Sequence, residues 1–209
     1  MIIGVTGSLA TGTTTASKYI ADYLKADIIC ADKIAHKLLG KKDSIENRIV
    51  LAFDRDILTK AGVIDRKKLA DEVFKTKKNI NKLSNILHPL IIAEIDKRIK
   101  SIYKKNPNSY IVVDGPVLIE SKFNKECDKL VVIMSSLSLQ ITRAKDKKAL
   151  NNKQALSRIR MQMPLCKKAR YADYVIDNGG NLKELKNRCR EVSDQLKSDK
   201  NSKKRSLTS

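Results

Sequence analysis

The sequence has no tryptophan, three phenylalanines and six tyrosines in 209 residues, and His36 and His88 are its two imidazoles. So few rings leave little on which bases could stack, which argues against a single-strand nucleic-acid surface. Its four cysteines, Cys30, Cys127, Cys166 and Cys189, are scattered without a C-x-x-C pair. A zinc cage needs clustered ligands, and a disulfide framework belongs to small secreted chains, so the thiols read as reduced fillers. No apolar run approaches the roughly 20 residues that cross a bilayer, and no charged segment precedes the apolar start. The expectation is a soluble, cytoplasmic protein with no membrane partner.

Basic side chains number 43 against 23 acidic ones, a formal net charge of +20. Such an excess favours anionic partners such as nucleotides, coenzyme phosphates or RNA. A lysine-rich solvated surface explains it equally well, and charge alone names no ligand. Apolar residues make up 42% of the chain. They gather into compact runs at Met1-Ile2-Ile3, Ile111-Val112-Val113 and Leu130-Val131-Val132-Ile133-Met134, enough for a folded core.

Periodicity then organises the chain. An apolar run from Met1 to Thr6 leads into Gly7-Ser8-Leu9-Ala10-Thr11-Gly12, and from Thr13 to Lys25 Ala16, Ile20 and Leu24 share one helical face. A second strand is expected at 27–30, with Asp32 just beyond it. Residues 34–104 read as helical, interrupted at Gly40, Gly62 and His88-Pro89, where proline should open or break a helix. Further strands are expected at 110–114, 130–134 and 174–176, continuous apolar runs of the kind found in a covered parallel sheet. The stretch 138–168 is helical and strongly basic, and a last helix reaches about Leu196. Residues 197–209 hold five cations, one acid and five serines or threonines and are expected to be disordered. Alternating strands and helices predict a doubly wound α/β fold with ligands at the carboxyl ends of a five-stranded parallel sheet.

Gly7-Ser8-Leu9-Ala10-Thr11-Gly12-Thr13-Thr14 approximates the phosphate-binding pattern G-x-x-x-x-G-K-[ST]. In that pattern glycines let backbone amides approach phosphates, the lysine reaches the terminal phosphates and the hydroxyl holds Mg²⁺. Both glycines and the Thr14 hydroxyl are present, but Thr13 stands where the lysine belongs. On the motif alone, a degenerate phosphate loop and a functionless strand-to-helix connection both remain open.

Eight segments, in order, resemble the dephospho-coenzyme A kinase family: Gly4-Val5-Thr6-Gly7, Ala31-Asp32-Lys33-Ile34-Ala35-His36, Ile64-Asp65-Arg66-Lys67-Lys68-Leu69, Leu87-His88-Pro89-Leu90-Ile91, Asp114-Gly115-Pro116-Val117-Leu118-Ile119-Glu120, Gln140-Ile141-Thr142-Arg143, Arg158-Ile159-Arg160-Met161-Gln162 and Ala172-Asp173-Tyr174-Val175-Ile176-Asp177-Asn178. The resemblance implies a P-loop kinase-like domain over 1–185, with a core of 1–33, 106–138 and 170–185. It also implies a helical substrate lobe at 34–105 and a lid at 139–169, leaving 186–209 as a helix end and tail. The implied activity is ATP-dependent phosphorylation of the ribose 3′-hydroxyl of dephospho-CoA, with ATP and Mg²⁺ as cofactors.

By residue, the resemblance implies Asp32 as the base that takes the hydroxyl proton. A carboxylate just past a strand's carboxyl end has independent sense in that role, and so does a helix cap there. Arg66, His88 and Pro89 match substrate-lobe positions, although a surface cation and a helix-break pair read as well. Arg143 matches a charge-stabilising lid arginine, and Lys147 stands where a second basic lid residue is expected, without the bidentate fork. ATP would rest on Ala10, Thr11, Gly12, Thr13, Thr14, Thr15 and Asn178, with Mg²⁺ on Thr14. Asp114 and Glu120 could order the metal through water or cap a turn.

Thr13 limits the activity to be expected, because phosphoryl transfer depends on cations over the transferring oxygens. A threonine offers a neutral hydrogen bond, about half as strong as a charge-assisted one. Losing one preorganised donor costs on the order of 10²–10³ in rate. Lys18 lies about 7.5 Å of helical rise further on and on another face, a poor stand-in. Lys33, Lys37, Lys145 and Lys147 are alternatives that sequence does not place. Ala10 also departs from the family's usual glycine. The leading reading is a divergent dephospho-CoA kinase, and the alternatives are an inactive nucleotide- or CoA-binding regulator and a kinase of another small acceptor.

Overall fold

The structure, a computed structural model, describes residues 1–39, 44–148 and 150–205. The described chain forms two compact units: Met1–Ile29 with the described residues from Ile99 onward, and Cys30–Arg98.

The first unit is built on a sheet in the order β2-β3-β1-β4-β5, with strands at Ile2–Thr6 (β1), Asp27–Cys30 (β2), Ile111–Asp114 (β3), Lys129–Met134 (β4) and Tyr174–Asp177 (β5). β1 lies between β3 and β4, parallel to both, with Ile3 opposite Val112 on one side and Lys129 on the other. β4 and β5 are parallel as well. The chain leaves β1 towards β2 and β3 and later fills the other side with β4 and β5. The turn after β1 therefore stands at the topological switch, where a crevice opens beyond the strand ends.

Side-chain alternation assigns the faces of the sheet. Val131 and Ile133 of β4 join Ile3, Val5, Val112 and Ile176 under helix α1 (Thr13–Leu24) and the carboxyl-terminal helix, which presents Leu185, Cys189, Val192 and Leu196. Leu130 and Val132 point the other way, against Ile119 and, at the margin, Met163 and Ala172. Each fully buried side chain of this kind is worth about 1.5–3 kcal/mol of transfer free energy. α1 forms because Ala16, Ile20, Ala21 and Leu24 give it one apolar stripe, and it ends at Lys25, whose φ of 52° is left-handed.

In the second unit, α2 (Ala31–Leu38) follows β2 without a linker. α3 (Ser44–Phe53), a 3₁₀ turn at Arg55–Ile57, α4 (Arg66–Val73) and α5 (Lys77–Lys105) follow. Ile49, Phe53, Ile57, Ile64, Leu69, Val73 and Leu87 make its own core. α5 then runs on into the first unit. The Asp65 side chain caps α4 by accepting from the amides of Lys67 and Lys68.

Two expectations are corrected. Pro89 lies inside α5 and does not break it; the proline ring removes one amide donor, but Leu87 and Ile95 are buried on either side of it. The basic stretch 138–168 is helical as expected and divides into α6 (Leu137–Lys148), α7 (Asn152–Met161) and α8 (Leu165–Ala169). α7 starts afresh because Asn151 and Gln154 form a capping box, and α8 follows Pro164. Finally, α9 (Leu182–Arg205) does not stop near Leu196. Leu196 is buried, Asp199 accepts from the Tyr174 hydroxyl and pairs with Lys129, and Lys200 lies 3.7 Å from the Tyr110 ring centroid. These contacts order the segment that composition marked as a tail, and residues 206–209 lie outside the described part, as does Gly40. Among the described residues no helix is long and apolar enough to cross a membrane.

Candidate active site

The loop from Gly7 to Gly12 closes on itself before α1 begins. The Thr11 amide donates to the Ser8 carbonyl at 3.2 Å, the Thr11 hydroxyl donates to the same carbonyl at 3.0 Å, and the Ser8 amide donates back to Thr11 Oγ1. Thr11, expected among the phosphate-facing amides, thus spends its N–H inside the turn. The first helical bond of α1 runs from the Ala16 amide to the Gly12 carbonyl. The amides of Gly12, Thr13, Thr14 and Thr15 precede it and have no partner within the helix, the standard condition of a helix start and a ready seat for anionic oxygens.

Two backbone positions shape this loop. Gly12 has φ 93°, and a Cβ there would sit 2.3 Å from Asn178 Nδ2, so only glycine fits. Ala10 has φ 59°, the left-handed region, where an L side chain costs roughly 1–2 kcal/mol. The departure from glycine at position 10 is therefore a strained one, held by packing of Ala10 against the cluster of Leu9, Ala144, Leu150 and Ala155.

The wall behind the loop comes from the carboxyl ends of β3, β4 and β5. Asp114, the last residue of β3, is 3% exposed and accepts from the Thr14 hydroxyl at 2.9 Å. Hydroxyl and carboxylate oxygens are hard donors suited to Mg²⁺, which keeps several waters and takes further oxygens from phosphates. Among the described residues no cluster of three or more His, Cys, Asp or Glu could cage a metal. Thr14 and Asp114 therefore fit an ion shared with phosphate. Glu120, the other carboxylate expected near metal, is engaged elsewhere, pairing with Lys168 and accepting from the Met163 amide at 3.0 Å.

Asn178, just past β5, donates from Nδ2 to the Thr11 carbonyl at 2.8 Å and so supports the loop from behind. Arg143 of α6 donates from Nη1 to the Asn178 carbonyl at 2.9 Å and to Ser135 Oγ at 3.3 Å. This places a cation two bonded contacts away from the phosphate loop. Lys18 and Lys145 are exposed on α1 and α6, Lys33 and Lys37 are exposed on α2, and the Lys147 side chain lies outside the described residues.

In the second unit, Asp32 is exposed in the first turn of α2, two residues past β2. The N-cap of α2 is Cys30, so Asp32 is not the capping residue. Arg66, exposed at the start of α4, donates from Nη2 to the His36 carbonyl at 2.9 Å, and its Nη1 lies 3.4 Å from His36 Nδ1. His88 is half-buried and Pro89 exposed on α5. Of the sequence-predicted residues, the structure brings together Gly12, Thr11, Asn178 and Arg143, and separately Arg66 with the His36 of the same motif block as Asp32.

Sequence reasoning missed two supports of the loop. Gln162 Oε1 accepts from the Ser8 hydroxyl at 2.8 Å and the Leu9 amide at 3.0 Å. Lys168, with no exposed surface, donates to the Gly7 carbonyl at 2.8 Å. Lys168 reads as one more cation in Lys167-Lys168-Ala169-Arg170. Its one signal is the helical spacing that puts it on the same face as Leu165, Ala169 and Ala172. Burial pulls its ammonium below the ordinary lysine range, against the opposing influence of Glu120.

A sequence model described as dephospho-CoA kinase matches residues 1–184. A dephospho-CoA kinase of Fusobacterium nucleatum subsp. nucleatum is 38% identical over 185 residues, covering 88% of this chain and 93% of that protein. One from Aquifex aeolicus is 33% identical over 197 residues, covering 94% and 98%. A solved dephospho-CoA kinase from Campylobacter jejuni superposes with a TM-score of 0.66 at 29% identity, covering 95% of this chain and 98% of that one. With its sheet order, its loop after β1 and a match across both units, the chain belongs to the dephospho-CoA kinase family, kinases of the P-loop fold.

Proposed function

We propose that the protein transfers the γ-phosphoryl group of ATP to the ribose 3′-hydroxyl of dephospho-CoA in the cytoplasm, giving CoA and ADP. The observation that carries this reading is the Thr14–Asp114 pair at the open amide end of α1. It puts hard oxygens beside four backbone donors, which is what a metal-bound triphosphate requires.

In this mechanism the amides of Gly12, Thr13, Thr14 and Thr15 hold the β- and γ-phosphates. Mg²⁺, where bound, would sit on Thr14 and Asp114 and neutralise phosphate charge. Asp32 accepts the proton of the 3′-hydroxyl as its oxygen bonds to phosphorus, and the bond from phosphorus to the bridging oxygen of ADP breaks. Arg143 carries positive charge to the loop's flank through Asn178 and offsets negative charge on the transferring group. Arg66, His88 and Pro89 bind the acceptor, and Lys147 belongs to the lid. Thr13 leaves the loop one charged donor short, so turnover is slow and not absent.

A coupled assay of ADP release tests this. ATP consumption should depend on added dephospho-CoA, and Asp32→Asn should lower kcat by on the order of 10²–10⁴. Consumption indifferent to dephospho-CoA, or unchanged in Asp32→Asn, would overturn the assignment.

A further inference from the structure

The phosphate loop is fixed from below by one short stretch of chain, residues 162–168, that no part of the proposed chemistry uses. Gln162 holds the Ser8 hydroxyl and the Leu9 amide. Six residues on, the Lys168 ammonium reaches the Gly7 carbonyl at 2.8 Å, the Pro116 carbonyl, and the two oxygens of Glu120 at 2.9 and 3.1 Å. An ammonium has three hydrogens, and it meets three acceptor groups here. Glu120 is itself aimed by the Met163 amide. The Gly7 carbonyl is the last backbone group before the loop turns. Fixing it sets the plane of the following peptide, whose Ser8 amide is bonded to Thr11 Oγ1. A Cβ at Gly7 would lie 2.4 Å from that same oxygen, so the turn has little room to settle elsewhere.

We propose that Lys168 is a positioning residue for ATP binding: its ammonium clamps the Gly7 carbonyl and so presets the phosphate loop of a chain that has threonine in place of the loop lysine. A buried ion pair is weak support for a fold, because apolar or neutral residues of similar size often replace it at no loss of stability. A chain with 43 basic side chains has many lysines to leave on the surface. What a neutral replacement does not supply is a three-way donor under the first carbonyl of the loop. Without it, the loop samples other shapes and ATP must select the competent one, which weakens apparent affinity by the fraction lost.

The inference rests on the nucleotide-binding reading above, and its test separates the two. Lys168→Met alone strands the Glu120 carboxylate, so the decisive variant is Lys168→Met with Glu120→Gln, which keeps an acceptor for the Met163 amide. The double variant should still unfold cooperatively but at a lower temperature, because the Gly7 and Pro116 carbonyls lose their donor; well below that melt it should bind Mg-ATP at least tenfold more weakly by calorimetry and exchange its Leu9 and Thr11 amide hydrogens at least tenfold faster without ligand. Its KM for dephospho-CoA should stay within about twofold. A double variant that binds Mg-ATP within twofold of wild type overturns the proposal. One that fails to fold overturns it as well, since the pair would then serve the core. Wild type that binds Mg-ATP without turning over dephospho-CoA refutes the proposed function and leaves the clamp to be judged on affinity and exchange.

Discussion

Polar side chains close both ends of the central sheet, and they do so by different physics. At the amino ends of the strands the partners are half-exposed charges. Lys129 pairs with Asp199 at 3.0 Å and Asp173 at 3.5 Å, Tyr174 donates to Asp199 at 2.6 Å, and Lys200 covers the Tyr110 ring. Such pairs are screened by water and salt, and each contributes about 0–1 kcal/mol. At the carboxyl ends the partners are buried and mostly backbone: Thr11, Asp114, Ser135, Lys168 and Asn178 all lie under the surface. There a lost hydrogen bond leaves a desolvated group unmatched, costing about 1–3 kcal/mol. The amino end tolerates change because solvent can substitute for any partner. Beside the phosphate loop it cannot, and that rigidity is what a phosphate site needs.

Four substitutions sharpen the contrast, in falling order of effect. Gly12→Ala forces a left-handed alanine into Asn178 and should abolish measurable Mg-ATP binding, a loss of at least 10²-fold by calorimetry. Thr13→Lys restores a charge-assisted donor and should raise kcat by about 10–10², within the range that one preorganised donor is worth; an unchanged kcat would mean another cation already fills the role. Ala10→Gly relieves the strained backbone and should stabilise by about 1 kcal/mol, raising Tm by about 2–4 °C in a scanning melt.

The smallest effect belongs to the amino end and shows itself in alkali. Burial, then the hydrogen bond to Asp199, pushes the Tyr174 phenol from 10.0 up to about 12. A folded value above the unfolded one means the folded chain retains the proton longer. The contribution of Tyr174 is therefore complete below pH 10 and is lost as pH rises towards 12. Melting temperatures of Tyr174→Phe and wild type should converge across that window, with activity at neutral pH unaltered. A loss of kcat in Tyr174→Phe at pH 7 would mean that the two ends of the sheet are coupled.

The same contrast explains what the sequence disclosed. All five strands were legible, because runs such as Leu130–Met134 have no competing period, and so was the phosphate loop with its missing lysine. The length of α9 was not. Residues 197–205 look polar in composition, and they are ordered by contacts to Tyr110, Lys129 and Tyr174, each far away in sequence. Pro89 misled for a related reason: proline's local preference was outweighed by apolar anchors on both sides. At the site, the loop itself carries a motif, whereas the contacts that hold it do not show in one: Gln162 lies in a recognisable segment, but its bonds to Ser8 and Leu9 do not follow from that segment. Gln162 and Lys168 each act through a single atom, on backbone groups and on one side chain apiece, Ser8 and Glu120, and nothing in a linear pattern distinguishes a lysine that reaches inward from its neighbours in a basic run.

The distribution of thiols has a practical side. Cys189 is buried and Cys127 half-buried, and desolvation raises both thiols to about 12, so neither offers thiolate to a reagent at neutral pH. Cys166 is exposed on α8, two residues before Lys168. A maleimide dye would attach at that outward position without disturbing the sheet, and its fluorescence would follow the underside of the loop in real time as nucleotide enters and departs.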